Sequence, residues 1–386
     1  VIHERDDDSA HGADGAALDA YLASFAEPAG YFNFASYGPP SRAVVDTTTR
    51  LVVAASEGVA SSELHAEDDR ALNAVARLTG VDHTGVTLTS STSLGLLQIA
   101  FGLPRGEVLV SSAEFPSNLY AWWRSEEAGL TRVRLLPPIP GRPLAPVTPE
   151  RVAAAVSPET VAVAVSAVDF RTGARADLAG LREAIGDRLL IVDGIQGFGV
   201  VDLDWTLADA LVVGGQKWVR AGWGTGFVAL SPRALDCVRP VLGGWTGVED
   251  PSRYDGVPHA PQVGAQRFSV TNGSPFASGA LATALEQIES VGVDVLQARI
   301  AEVSARLIDA LLAAGVPVLS PQATAQRAGI VVAAVPSGSS GTALARLADA
   351  GVTVTAHGDD RVRLSVHATT QPDAFEAIAT VLGDTQ

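Results

Sequence analysis

Lys217 closes the apolar run Asp209-Ala-Leu-Val-Val-Gly-Gly-Gln-Lys and is followed by the glycine-rich Ala221-Gly-Trp-Gly-Thr-Gly. A run reading Leu211-Val212-Val213 belongs to a buried strand, so this lysine leaves the core where water is scarce. Desolvation lowers an amine's pKa, and a neutral lysine can attack an aldehyde to form a Schiff base. The competing reading is a strand-end lysine that snorkels to solvent. Other residues at strand ends bear on the choice. Asp193 ends Leu189-Leu-Ile-Val-Asp, Gln196 follows it in Asp193-Gly-Ile-Gln-Gly, and Ser91 and Thr92 follow the Val86 run in Thr89-Ser-Ser-Thr-Ser-Leu-Gly. A buried carboxylate calls for a cation, and a protonated pyridine nitrogen is one. A hydroxyl-rich turn that opens a helix offers free N–H groups and a favourable dipole to a phosphate. An aldehyde-reactive lysine, a partner for a pyridinium and a phosphate cup together describe pyridoxal 5′-phosphate.

Ligands of an open α/β sheet bind outside the carboxyl ends of its strands, so the sheet must bring these residues to one edge. From about residue 45 to 240 strand-like runs alternate with helical patterns. The strands are expected at Val86–Thr89, Val108–Ser111, Val133–Leu136, Val161–Val165, Leu189–Asp193, Ala210–Val213 and Gly226–Leu230, with helices such as Ser93–Leu103 and Leu178–Ile185 between them. Their continuous apolar character predicts a mostly parallel α/β sheet covered on both faces. After the glycine- and proline-rich stretch Gly243–Pro275, an alanine- and leucine-rich helical region spans Ala277–Ala314. Strands at Gly329–Val335, Val352–Thr355 and Val362–Val366 and a closing helix Pro372–Leu382 then suggest a smaller α+β domain. The expected division is an N-terminal segment 1–30 that joins the small domain, a large domain 31–275 and a small C-terminal domain 276–386.

Composition narrows the function classes. The chain has 386 residues, 47% of them hydrophobic, enough for one large core and a second smaller one. With 43 acidic and 27 basic residues and a formal charge of -16, it offers no basic stripe for nucleic acid or anionic membrane. The single cysteine, Cys237, excludes an intramolecular disulfide and a cysteine-rich metal cluster. Its segment, Ser231-Pro-Arg-Ala-Leu-Asp-Cys, reads as a capped helix with the cysteine packed inward. Seven scattered histidines show no ligand spacing, so no metal is expected. Val1–Gly15 is polar, lacks the apolar core of a signal peptide and reads as a mobile arm. With no apolar stretch long enough to span a bilayer, the expected location is the cytoplasm. The absence of any methionine suggests a trimmed form.

The motifs Asp193-Gly-Ile-Gln-Gly, Gly-Gln-Lys-Trp and Gly222-Trp-Gly-Thr-Gly, in this order, resemble the signature of class V aminotransferases. These are fold type I pyridoxal-phosphate enzymes that include cysteine desulfurases and isopenicillin N epimerase-like proteins. The resemblance runs from Tyr31-Phe-Asn-Phe-Ala-Ser-Tyr-Gly-Pro to Val362-Arg-Leu-Ser-Val. It implies that Lys217 carries the cofactor and then shuttles the substrate proton. Asp193 would hold the pyridinium, Gln196 the ring hydroxyl, and Ser91, Thr92 and Gln216 the phosphate. Phe115, in Ser112-Ala-Glu-Phe-Pro-Ser-Asn, matches the residue that stacks on the ring, and Arg363 the arginine that grips the substrate carboxylate. Ser274, in Asn272-Gly-Ser-Pro, matches a position that reaches the phosphate of a neighbouring subunit, which implies a homodimer. Simpler readings stay open: Asp193 or Thr92 as a cap, Phe115 as ordinary core, Arg363 as a solvated strand residue.

Departures from the family pattern are also informative. Desulfurases carry a sulfur-accepting cysteine on a loop before the carboxylate-binding arginine, and here that loop reads Thr355-Ala-His-Gly-Asp-Asp. Persulfide chemistry on such a cysteine is therefore not expected. Phe115 stands where histidine is found, which removes an acid from the ring face. Gly214 replaces a common phosphate-binding serine, and Phe170 a frequent asparagine. The expected substrate is a small molecule, an amino acid or amine. Transamination is the leading reaction, with C–S or other β-elimination and epimerisation as alternatives, and a non-catalytic cofactor-binding sensor as a reading from another class.

Overall fold

The computed structural model describes residues 7–385, with side chains from residue 15 onward. Seven strands form one sheet: β1 (Val86–Leu88), β2 (Glu107–Ser111), β3 (Arg132–Leu136), β4 (Thr160–Ser166), β5 (Leu189–Asp193), β6 (Ala210–Gly214) and β7 (Gly226–Leu230). Their order is β1-β7-β6-β5-β4-β2-β3, and only β7 runs against its neighbours β6 and β1. The carboxyl ends of the other six therefore share one edge. Alternate residues enter different cores. Val163, Val165, Leu190, Val192, Leu211 and Val213 face one apolar layer, while Ala162, Ala164, Leu189, Ile191, Ala210 and Val212 face the other. Each large side chain so buried contributes about 1.5–3 kcal/mol, and this two-sided burial is why the strands read as unbroken apolar runs.

A second, antiparallel sheet contains β8 (Ile330–Ala334), β10 (Arg361–Ser365) and β9 (Thr355–Ala356), in the order β8-β10-β9. The N-terminal segment adds to it through bridges between Tyr31 and Thr353 and between Asn33 and Ser365. Phe32 and Phe34, fully buried, fasten that segment.

Several expectations need correction. The strand expected at Val352–Thr355 is confined to Thr355–Ala356, because Thr353 pairs with Tyr31 across a single bridge. The helical region Ala277–Ala314 is two helices, Pro275–Val291 and Val293–Ala313, interrupted at Gly292 with φ 93°. A positive φ does not fit a continuing right-handed helix, and glycine adopts it without steric cost. The first of these helices packs on Arg42–Ser56 and Ala66–Thr79. The closing helix is a short 3-10 turn, Pro372–Ala374, followed by Phe375–Gly383. Of the arm expected over Val1–Gly15, residues 1–6 lie outside the described residues, and Asp7–Ala23 is a helix. Cys237 ends the short helix Pro232–Cys237 with its side chain exposed rather than packed. No helix among the described residues is long and apolar enough to cross a membrane.

Candidate active site

β1, β2, β4, β5 and β6 each deliver chain to the shared edge, and the loop after β6 carries Lys217. Lys217 is 8% exposed, with its Nζ 5.1 Å from the centroid of the Phe115 ring. Its pKa is lowered to about 8 by burial, against the opposing pull of Asp193; Arg363 lowers it slightly further. The orientation is enforced by the next residue. Trp218 is fully buried, and its indole N–H donates to Gln196 Oε1 at 2.7 Å. Anchoring Trp218 in the core turns the preceding side chain toward the sheet edge. Gly38 closes over the same loop: its N–H donates to the Gln216 carbonyl at 2.8 Å, and a Cβ there would lie 2.0 Å from the Lys217 carbonyl oxygen.

Arg220 locks the far end of the turn. It is 1% exposed, pairs with Glu27 at 2.5 Å, donates to the Pro39 carbonyl and to Thr369, and covers the Phe25 ring at 3.5 Å. Its φ of 62° is a conformation that a non-glycine residue holds only when its surroundings impose it.

Asp193 is 2% exposed at the end of β5. Oδ1 accepts the Ile195 N–H at 3.1 Å, and among the described residues no cationic side chain lies within ion-pair distance of the carboxylate. Burial raises its pKa to about 6. Gln196 is already engaged, donating to the Ala35 carbonyl at 3.0 Å while accepting from Trp218, so one N–H remains for a ligand.

Ser91 caps the helix Thr92–Gly102 by accepting the Leu94 N–H at 3.2 Å. Thr92 is buried at the first helical position with Oγ1 unpartnered. Gly214 faces it: a Cβ on Gly214 would lie 2.9 Å from Thr92 Oγ1 and 2.6 Å from Gln216 Oε1. A serine would collide with both, so the glycine keeps a polar hollow open at the helix N-terminus. Ser274 caps the helix Pro275–Val291, is exposed, and borders a cleft of about 480 Å³ with Thr89, Ser90 and Trp223.

Phe115 is 39% exposed, too open for an ordinary core residue. It meets Phe170 edge to face at 5.2 Å, and Phe170 meets the His357 ring at 5.6 Å. Arg363, on β10, is 5% exposed; it donates to the Phe170 carbonyl at 3.2 Å and to Ser36 at 2.7 Å, while its Nε has no partner. Among the described residues no acid pairs with it, and burial depresses its pKa to about 10.

Glu114 was not singled out from the sequence. Its carboxylate accepts both the N–H and the hydroxyl of Ser166, the residue opposite Asp193 in the β4–β5 register. Burial, reinforced by the charge of Asp193, raises its pKa to about 7. Its position directly before Phe115, just past a strand end, was the available signal. The segment Phe34-Ala-Ser-Tyr was expected to shape the pocket, but neither Ser36 nor His357 was assigned a role, because only the fold brings them to Arg363.

The class-V aminotransferase profile matches residues 48–373. The chain belongs to the class-V aminotransferase family. Its cofactor is pyridoxal phosphate. The solved structures agree in fold. The cystine C–S lyase C-DES, in complex with its reaction product cysteine persulfide, superposes with a TM-score of 0.83 at 22% identity, covering 92% of this chain and 97% of that one. Apo cysteine desulfurase from Thermococcus onnurineus NA1 gives 0.81 at 21%, covering 92% and 94%. The cysteine desulfurase CsdA from Escherichia coli gives 0.80 at 19%, covering 95% and 97%. Comparison with curated protein sequences returned no match. The residues of this class-V chain fit the cofactor: the Gly214 hollow with unpartnered Thr92 Oγ1 suits a phosphate, and the carboxylate of Asp193, without an ion-pair partner among the described residues, suits a protonated ring nitrogen.

Proposed function

We propose that the protein is a pyridoxal-phosphate-dependent lyase that eliminates a leaving group from the β-carbon of an α-amino acid. The observation that carries the substrate class is Arg363: a buried guanidinium with no acid partner among the described residues, on the same wall as Phe115 and Phe170 that flanks Lys217. Its fork suits one α-carboxylate. Elimination is favoured over transamination by the fold relatives, which include a cystine C–S lyase and cysteine desulfurases.

When bound, pyridoxal phosphate supplies an electron sink joined to the substrate nitrogen. Asp193, ionised above about pH 6, holds the ring nitrogen's proton. Thr92 Oγ1, the N–H groups at its helix start, Ser91 and Gln216 hold the phosphate, and the remaining N–H of Gln196 reaches the ring hydroxyl. Phe115 covers the ring and excludes water. Lys217, whose lowered pKa of about 8 leaves a large neutral fraction near that pH, takes the proton from the substrate Cα. A homodimer is part of this reading: Trp223, Tyr254 and Val263 are exposed apolar side chains, and Ser274 would face a neighbour's phosphate.

A panel of amino acids separates the reactions. Elimination releases keto acid and ammonia without an amine acceptor, transamination requires the acceptor, and epimerisation yields the other enantiomer with no keto acid. Keto acid formed only with an acceptor would overturn the lyase reading. In the same assay Arg363→Ala is expected to lose roughly tenfold to a hundredfold in kcat/KM on α-carboxylate substrates, the worth of a charge-assisted hydrogen bond, and little on an amine without one.

A further inference from the structure

His357 stands in the turn between β9 and β10, its backbone N–H closing that turn on the Arg361 carbonyl at 3.0 Å. Among the described residues nothing hydrogen-bonds either ring nitrogen. The ring packs on Phe170, whose carbonyl accepts from Arg363 and whose ring meets Phe115. A substrate with its carboxylate on Arg363 and its Cα beside Lys217 would therefore run along the wall that His357 lines. Phe115 cannot donate a proton where family members carry histidine, and no cysteine occupies this turn.

We propose that His357 is the acid that protonates the departing side-chain atom, and that a substrate carboxylate seated on Arg363 arms it. This rests on the lyase reading above. Alone, the imidazole is held neutral, its pKa lowered to about 4 by burial first and then by Arg363 and Arg361. Arg363 and Arg361 on β10 are the charges that act on it; Asp359 and Asp360 follow it in its own turn, and Asp169 and Arg171 flank Phe170 in the chain. Arg361 pairs with Asp360, and Arg171 with Asp169, leaving Arg363 as the unpaired cation of this set. A carboxylate on Arg363 cancels that repulsion, and negative charge developing on the leaving atom draws a proton further toward the ring. In the reaction Lys217 Nζ accepts the Cα proton, the electron pair of that C–H bond becomes the Cα=Cβ bond, and the Cβ–S pair stays on sulfur. His357 relays the proton as a neutral imidazole: one ring nitrogen gives its proton to sulfur while the other takes one from solvent, an uptake that the raised basicity of the ring assists.

Two measurements on the holoenzyme test this. With 13C-histidine labelling and His357→Gln for assignment, saturating 3-mercaptopropionate, which has the carboxylate and thiol but no amine, is expected to raise the His357 titration midpoint by about one pH unit. The rise should vanish in Arg363→Gln. In kinetics, His357→Gln is expected to lower kcat/KM for S-methylcysteine on the order of a hundredfold, yet leave β-chloroalanine within about twofold, since chloride leaves without a proton. Equal losses on both substrates, or a midpoint indifferent to 3-mercaptopropionate, overturn the role of His357 alone. A wild type inert toward both substrates sinks the elimination reading and the acid role with it.

Discussion

Lys217 is the residue on which burial has the most direct chemical consequence. Its folded pKa near 8 lies below the ordinary 10.5 because the desolvation penalty exceeds the attraction of Asp193. Capture of pyridoxal phosphate by apoprotein needs the neutral amine, so its rate should rise with pH and level off above about 8, read as visible absorbance after rapid mixing. Asp193→Asn removes the charge that favours the ammonium and should move that midpoint lower. A rate still climbing near pH 10 in the wild type would refute the assignment. The linked stability has a definite sign. Between about pH 8 and 10.5 the unfolded lysine binds a proton that the folded one has released, so the apoprotein gains stability as pH rises through that window.

At the scale of elements, the β1 turn and the helix Thr92–Gly102 show two adjacent hydroxyls of which Ser91 caps the helix as well as facing the proposed phosphate site, while Thr92 has only the second duty. Ser91 Oγ accepts the Leu94 N–H, whereas Thr92 Oγ1 has no partner among the described residues. Ser91→Ala should therefore cost about 1 kcal/mol of folding stability as a lost cap, measured by urea unfolding of apoprotein. Thr92→Val should leave that stability unchanged or slightly higher while raising the cofactor dissociation constant roughly tenfold, the worth of one hydrogen bond of about 1–1.5 kcal/mol. A Thr92→Val protein that unfolds early but binds cofactor normally would make this threonine a structural residue.

Across the whole molecule, Arg220 joins three parts of the chain: the Lys217 turn, Glu27 and Phe25 of the N-terminal segment, and Thr369 beyond β10. Glu27 also accepts from Thr369, so removing the guanidinium leaves a buried carboxylate with one neutral donor. Arg220→Ala should destabilise the fold by about 3–5 kcal/mol, and Arg220→Lys should recover little, because one ammonium cannot reproduce the fork that reaches Pro39, Thr369 and Glu27 together. Thermal unfolding compared across the two variants checks this. A lysine variant as stable as the wild type would show that charge alone, without the fork, holds the joint.

Local chemistry was legible wherever its signal lay in one segment. Apolar runs ending in Asp193 and Lys217, a hydroxyl turn before a helix, and glycines at tight bends each state their role nearby, and every expected strand of the large sheet formed. The helical break at Gly292 and the exposure of Cys237 depend instead on what lies opposite, which a single segment does not encode. The same holds at the site's edges. The family resemblance matched Arg363 to a carboxylate-gripping arginine, while its alternating strand also allowed a solvated one; that it is buried with no acid partner among the described residues emerges only after residues hundreds apart have packed. Sequence by itself determined the family and its cofactor. Tertiary structure decided which buried charges lack partners, and an unpaired charge is a property of surroundings, not of the residue that bears it.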